Sequence, residues 1–85
     1  SALSFFRIYP NPSTGSFMVR FAMSQPQNLR ISVCDMLGRS VYAQEYGYVN
    51  GFFESAVDLG DVSIGVYTVH INIDDNSFYR KVLVR

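Results

Sequence analysis

The sequence has little of several features that would point to a function directly. Its 85 residues include a single cysteine, which excludes an intrachain disulfide and does not identify the cellular compartment. Seven basic and seven acidic residues cancel, so nucleic-acid binding lacks its usual electrostatic footprint. No apolar run approaches the roughly 20 residues that a membrane-spanning helix requires. A single small domain remains, long enough to fold without disulfides or metals.

The ends of the sequence indicate a piece of a longer protein. No signal peptide is visible, and the first residue is not methionine. We therefore expect residues 1–4 to be the remnant of a linker and residues 5–85 to form the domain. Hydrophobic residues make up 48% of the chain and aromatic residues 15%, so large side chains can fill its core.

The clearest strand pattern covers residues 67–73. Its odd-numbered residues, from Tyr67 to Ile73, are apolar, and the residues between them, such as His70, are polar. This period of two predicts a half-buried strand near the middle of a sheet. Gly65, just before it, suggests a backbone position that a side chain would obstruct.

Other alternating segments are separated by turn signals, and none shows a sustained helical period. Predicted strands cover residues 5–9, 17–21, 29–34, 41–49, 52–59, 67–73 and 78–84. The pattern favours an all-β sandwich of about seven short antiparallel strands. A polar turn around Pro26 separates the second and third strands.

Three hairpin loops connect the later strands. Residues 35–38 predict a type I turn that closes with a left-handed residue at Gly38 and a bulge. Asn50 and Gly51 are the strongest short hairpin signal, and a two-residue turn there pairs Val49 with Phe52. A two-residue loop at Asp75 and Asn76 pairs Ile73 with Phe78.

These registers assign side chains to faces. The last hairpin places Val82 and Val84 inside, with His70 directly opposite Lys81 on the outer face. The hairpin at Asn50 exposes Phe52. Val41 and Ala43 fit its register badly, which leaves a bulge in the fourth predicted strand as an alternative. The register predicts that Glu45, Glu54 and Asp58 face solvent. The side chains assigned to the core are those of Tyr42, Tyr46, Tyr48, Phe53, Val57 and Leu59.

No catalytic, metal or cofactor site is predicted. Cys34 and His70 invite a nucleophilic mechanism, but no third group orients them. Zinc lacks ligands, since neither a Cys-x-x-Cys motif nor paired histidines occur. Asp74, Asp75 and Asn76 could attract calcium, but a hairpin turn prefers the same residues.

Four motifs together resemble the type A C-terminal sorting domain of the type IX (Por) secretion system. They comprise residues 9–12 with Gly15, residues 35–39 with Val41, residues 59–67, and the ending at residues 81–85. The order and spacing match over nearly the whole chain. Two departures are Arg85, where many members carry lysine, and residues 62–64, where a proline is common.

The resemblance implies an immunoglobulin-like antiparallel β-sandwich that acts as a sorting signal rather than an enzyme. Such a domain directs an N-terminal cargo from the periplasm through an outer-membrane translocon and its shuttle protein in a Gram-negative bacterium. A cell-surface signal peptidase then removes the domain, and the cargo reaches the surface or the medium. By position, Gly65, Tyr67, Lys81 and Arg85 belong to the best-preserved region of the family, and together with His70 they are the predicted recognition residues. The resemblance marks Pro10, Pro12, Gly15, Asp35 and Gly38 as fold determinants.

The sequence leaves open both the role of one surface and the function of the domain. The outward stripe of His70, Lys81 and Arg85 is either a contact surface for the export machinery or an ordinary solvated strand face. A carbohydrate-binding or adhesion module is the alternative function. This alternative requires that the aromatic side chains of one set are exposed, namely Tyr42, Tyr46, Tyr48, Phe52 and Phe53.

Overall fold

The computed structural model describes residues 3–85, with side chains from Phe5 onward, and its regular structure is entirely β. The strands are β1 (Leu3–Tyr9), β2 (Ser16–Cys34), β3 (Ser40–Asp58), β4 (Gly65–Ile73) and β5 (Asn76–Val84). They form one antiparallel sheet in the order β1-β2-β4-β5, with β3 also paired to β2. The prediction of an all-β antiparallel domain is confirmed. Residues 1–2 of the predicted linker lie outside the described residues, whereas Leu3 and Ser4 belong to β1.

Two strands are much longer than predicted. The predicted second and third strands are continuous in β2, and the predicted fourth and fifth are continuous in β3. These two strands pair along their lengths, from Ser16 opposite Asp58 to Cys34 opposite Ser40. The described residues therefore form five strands, and an immunoglobulin-like sandwich of about seven is not confirmed.

The turns predicted at Pro26 and at Asn50 are both wrong. Met23 pairs with Gly51 and Gln27 pairs with Val49, so a bulge in the ladder replaces the two turns. Proline is tolerated there because a bulge interrupts the ladder and requires no N–H from it. The local turn preference of Asn50 and Gly51 is overridden by pairing with β2.

The turn between β2 and β3 is confirmed. The N–H of Gly38 donates to the carbonyl of Asp35 at 3.0 Å, and Gly38 adopts a φ of +84°. The register shifts next to this turn, between Val33 and Cys34, as the predicted bulge requires. A left-handed glycine therefore closes the hairpin at low steric cost.

The last hairpin has a different register from the predicted one. Its loop is Asp74 and Asp75, so Ile73 pairs with Asn76 and Ile71 with Phe78. Asp74 adopts a left-handed conformation with a φ of +49°. Its N–H donates to the Asn28 carbonyl at 3.0 Å, and its carboxylate accepts a hydrogen bond from the Asn28 N–H at 3.2 Å. These contacts with β2 select the loop. Because β5 is displaced by two residues, every side chain keeps its predicted face.

The sheet curls around one apolar core, and residues from both of its edges approach each other. The guanidinium carbon of Arg80 in β5 lies 4.6 Å from the ring centroid of Phe6 in β1. The buried hydrophobic residues are Phe17, Val19, Phe21, Met23, Leu29, Ile31, Val33, Val57, Leu59, Tyr67, Val69, Ile71, Ile73, Val82 and Val84.

The predicted faces of β3 are mostly confirmed. Val57 and Leu59 are in the core, and Tyr42, Tyr46 and Phe53 are partly buried against it. Solvent reaches Glu45, Glu54 and Asp58 as predicted. Phe52 is 57% exposed as predicted, but Tyr48 is 72% exposed and its assignment to the core is wrong. The wrong hairpin at Asn50 explains the error, because Tyr48 lies opposite the exposed Asn28.

Candidate functional site

The outer face of the β4–β5 hairpin carries the predicted recognition residues His70 and Lys81. His70 lies opposite Tyr79, and the two rings stack with centroids 4.3 Å apart and planes inclined by 15°. Lys81 lies opposite Thr68, so the predicted direct pairing of His70 with Lys81 is wrong. The two residues nevertheless share a face, in neighbouring cross-strand pairs.

The segment that connects β1 to β2 holds the main chain at the end of β5. The side chain of Asn11 donates to the Lys81 carbonyl and accepts the Leu83 N–H, both at 3.0 Å. The N–H of Ser13 donates to the Leu83 carbonyl at 2.8 Å, and the Arg85 N–H donates to the Ser13 carbonyl at 3.0 Å. The backbone here is held in place while the side chains of Lys81 and Arg85 are exposed.

Pro10, Pro12 and Gly15 surround these contacts. Pro10 and Pro12, each preceded by a cis peptide bond, flank Asn11. The Gly15 N–H donates to the Ser13 hydroxyl oxygen at 3.2 Å, and the Gly15 carbonyl accepts the Leu59 N–H at 2.8 Å. The segment therefore connects the end of β5 with the loop that follows β3.

Gly65 and Tyr67 shape the start of the same hairpin. The expected obstruction at Gly65 is wrong, since a Cβ there would meet nothing within 4 Å; its φ of +153° is what disfavours a side chain. Tyr67 is 5% exposed, and its hydroxyl donates to the Ser63 carbonyl. The Tyr67 ring is therefore part of the core, and the outward surface is left to His70, Lys81 and Arg85.

The residues considered for nucleophilic or metal chemistry are not assembled into a site. Cys34 lies opposite Thr68 and His70 opposite Ser32, in neighbouring pairs on one face of β2 and β4, but within residues 5–85 no hydrogen bond joins Cys34 to His70. In the same part of the chain, no group of three or more His, Cys, Asp or Glu residues could hold a metal ion. The described residues also contain no helix that could span a membrane.

The tyrosines of β3 form a hydrogen-bonded chain instead of a flat platform. The hydroxyls of Tyr42 and Tyr46 are 3.2 Å apart, and the Tyr46 hydroxyl is also 3.2 Å from Ser55 Oγ. Burial, together with the hydrogen bond to Tyr46, raises the pKa of Tyr42 to about 12. Tyr46 packs edge-on against Phe53 with ring centroids 5.1 Å apart. These rings stabilise the β3 side of the core.

A cleft that sequence reasoning missed lies between the turn at residues 35–38 and the loop at residues 61–64. It has a volume of about 470 Å³, and its lining includes Met36, Leu37 and Ile64, which are 77–79% exposed. The backbone N–H of Arg39, then its side chain and the Leu37 N–H, hold the pKa of Asp35 below its ordinary value. Large apolar residues at turn positions, where polar ones are usual, were the available signal.

Of the candidate recognition residues, Lys81 and Arg85 are exposed beside a backbone that hydrogen bonds hold in place, His70 is half-buried and Tyr67 is buried. The chain matches the family described as the secretion system C-terminal sorting domain over residues 7–85, and it belongs to this family of type IX secretion domains. No curated protein matches the chain. The family is not an enzyme class, and membership implies interaction with secretion machinery and export to the cell surface or beyond.

Proposed function

We propose that residues 5–85 direct an N-terminal cargo through the outer-membrane translocon of the type IX system, with the linker to that cargo ahead of β1. The family match over residues 7–85 carries the proposal. The cargo passes through the periplasm of a Gram-negative bacterium, and the translocon's shuttle protein accompanies it. A cell-surface signal peptidase then removes the domain.

The recognition surface that we propose is the outer face of the β4–β5 hairpin. Lys81 and Arg85 are exposed, and neither side chain has an ion pair within the described residues. Asn11 and Ser13 hold the backbone beside them, so both charges are presented from a fixed strand. A preorganised surface loses less conformational entropy on binding than a flexible tail does. Gly65 and Tyr67 contribute by setting the course of β4 into this hairpin.

Export of a reporter tests both the function and the surface. A periplasmic reporter is fused ahead of the chain, and its partition between periplasm and cell surface is measured in a bacterium with a type IX system. We expect Lys81→Gln with Arg85→Gln to fold normally, because exposed substitutions usually change stability by no more than about 0.5 kcal/mol each. The same variant should accumulate in the periplasm.

A charge-matched control separates local recognition from net charge. Arg7→Gln with Arg30→Gln also removes two positive charges outside the last hairpin, that of the exposed Arg7 and that of the half-buried Arg30, which pairs with Glu45. This control should be exported like the unchanged chain. Normal export of the variant at Lys81 and Arg85 would show that these two charges are not recognised by the export machinery. Failure of the unchanged chain to export the reporter would contradict the sorting function. Glycan binding without export would favour the carbohydrate-binding alternative.

A further inference from the structure

Two neighbouring rows of side chains cross the outer face of β1, β2 and β3. In one row, Arg7 of β1 lies opposite Arg20 of β2, which lies opposite Glu54 of β3. In the next row, Phe5 and Phe52 lie on either side of Ala22. The rings of Phe5 and Phe52 approach each other at a centroid distance of 6.0 Å. The face therefore combines a charged row with an aromatic one.

The charged row carries an excess positive charge. Like charges directly opposite each other on a sheet are destabilising, and Arg7 directly faces Arg20. The one carboxylate in the row is already engaged, since Glu54 Oε2 lies 3.2 Å from Arg20 Nε and accepts the Tyr9 hydroxyl at 2.9 Å. Arg7 has no ion pair within the part of the chain that the structure describes.

The aromatic row holds one of these arginines in position. The guanidinium carbon of Arg20 lies 4.6 Å from the centroid of the Phe52 ring, within the range of a cation–π contact. A small cleft of about 220 Å³ is lined by Phe5, Arg7 and Arg20. Arg20 is therefore restrained beside an apolar wall, while Arg7 on the opposite strand is exposed.

We propose that this cleft binds an oxyanion, a phosphate ester or a carboxylate, carried by a flat ring. Guanidinium groups bind these anions with paired, charge-assisted hydrogen bonds, and one anion between Arg7 and Arg20 relieves their repulsion. The ring attached to the anion packs against Phe5 and Phe52. The site lies outside the β4–β5 hairpin, and the proposal does not depend on the sorting function.

Titrations of the 85-residue chain with phenyl phosphate and with benzoate test the proposal. Amide resonances are followed by two-dimensional NMR at constant ionic strength, with benzyl alcohol as the uncharged probe. We expect saturable shifts around Phe5, Arg7, Arg20 and Phe52 with at least one of the two anions. Benzyl alcohol should give weaker shifts that do not saturate. Absence of saturable shifts with both anions, or equal binding of benzyl alcohol, overturns the proposal.

Substitution of Arg7 identifies the binding groups. Because hydrogen bonds to charged groups are strong, Arg7→Gln should weaken binding of the anion by about tenfold or more. Arg7→Lys keeps the charge without the planar fork and should weaken it less. Arg30→Gln removes a half-buried arginine on the other half of β2, whose Nε lies 3.0 Å from Glu45 Oε1, and should leave the affinity unchanged. Equal effects of Arg7→Gln and Arg30→Gln would also overturn the proposal.

Discussion

The side-chain carbonyl of Asn11 accepts the backbone N–H of Leu83 at 3.0 Å, as a neighbouring strand would do. The amide of the same side chain donates to the Lys81 carbonyl, also at 3.0 Å. Asn11 thereby covers part of the open edge of β5, which would otherwise expose unpaired backbone groups to other chains. A residue of the loop between β1 and β2 thus holds the strand that carries the proposed recognition residues.

Asn11→Ala should lower the free energy of unfolding by about 1–2 kcal/mol, because two hydrogen bonds of modest net strength are lost. Urea denaturation followed by circular dichroism measures the change. Thr14→Ala, an exposed substitution in the same loop, is the control and should change stability by no more than about 0.5 kcal/mol. Equal midpoints for Asn11→Ala and the unchanged chain would mean that water replaces both bonds without loss.

Gly38→Val should destabilise the domain through the backbone alone. A Cβ at Gly38 would meet nothing within 4 Å, but the φ of +84° resists a β-branched residue. We expect a loss of about 1–2 kcal/mol, the usual cost of a left-handed conformation. Gly38→Asn should cost less, because asparagine tolerates this region. Denaturation midpoints check both variants, and equal losses for Val and Asn would contradict the explanation.

Tyr67→Ala should lower the free energy of unfolding by about 3–5 kcal/mol, as truncation of a buried aromatic ring usually does. Tyr67→Phe keeps the ring and removes only the hydrogen bond to the Ser63 carbonyl. Because Ser63 is exposed, water can hydrate that carbonyl, and we expect a loss of about 1 kcal/mol or less. Denaturant titration measures both variants. A loss below about 1 kcal/mol for Tyr67→Ala would contradict the burial of the ring.

Alkaline pH should destabilise the domain through Tyr42. The pKa of Tyr42 is about 12 in the folded chain, above the ordinary value of 10.0, so folding favours the neutral phenol. This contribution is fully present below about pH 10, where the unfolded phenol is also neutral, and is lost as the pH rises towards 12. Tyr42→Phe should therefore lose stability less steeply across this interval.

Urea midpoints at several pH values between about 9 and 12 measure that slope. Tyr48→Phe removes a phenol that is 72% exposed and is the matched control. We expect its slope to follow that of the unchanged chain. Identical slopes for Tyr42→Phe and the unchanged chain would show that Tyr42 does not govern the alkaline transition.

The sequence by itself determined which sides of β4 and β5 face the core. Alternation assigned Tyr67, Val69 and Ile71 inward, and Val82 and Val84 kept that direction although the register of β5 differed by two residues. The turn that ends at Gly38 was equally predictable. A period of two specifies the face of a strand and is unchanged by a displacement of two residues. Turn chemistry at Gly38 acts within a few residues.

Only the tertiary structure decided which segments pair. The residues around Pro26 and Asn50 continue β2 and β3, because long-range pairing outweighs a local hairpin preference. Asp74 was selected as the loop residue by its contacts with Asn28, which lies 46 positions away in sequence. Likewise, Arg7 meets Arg20 only because β1 pairs with β2. Local propensities and periodicity depend only on residues close in sequence. Hydrogen bonding and burial in the folded sheet depend also on residues that are distant in sequence.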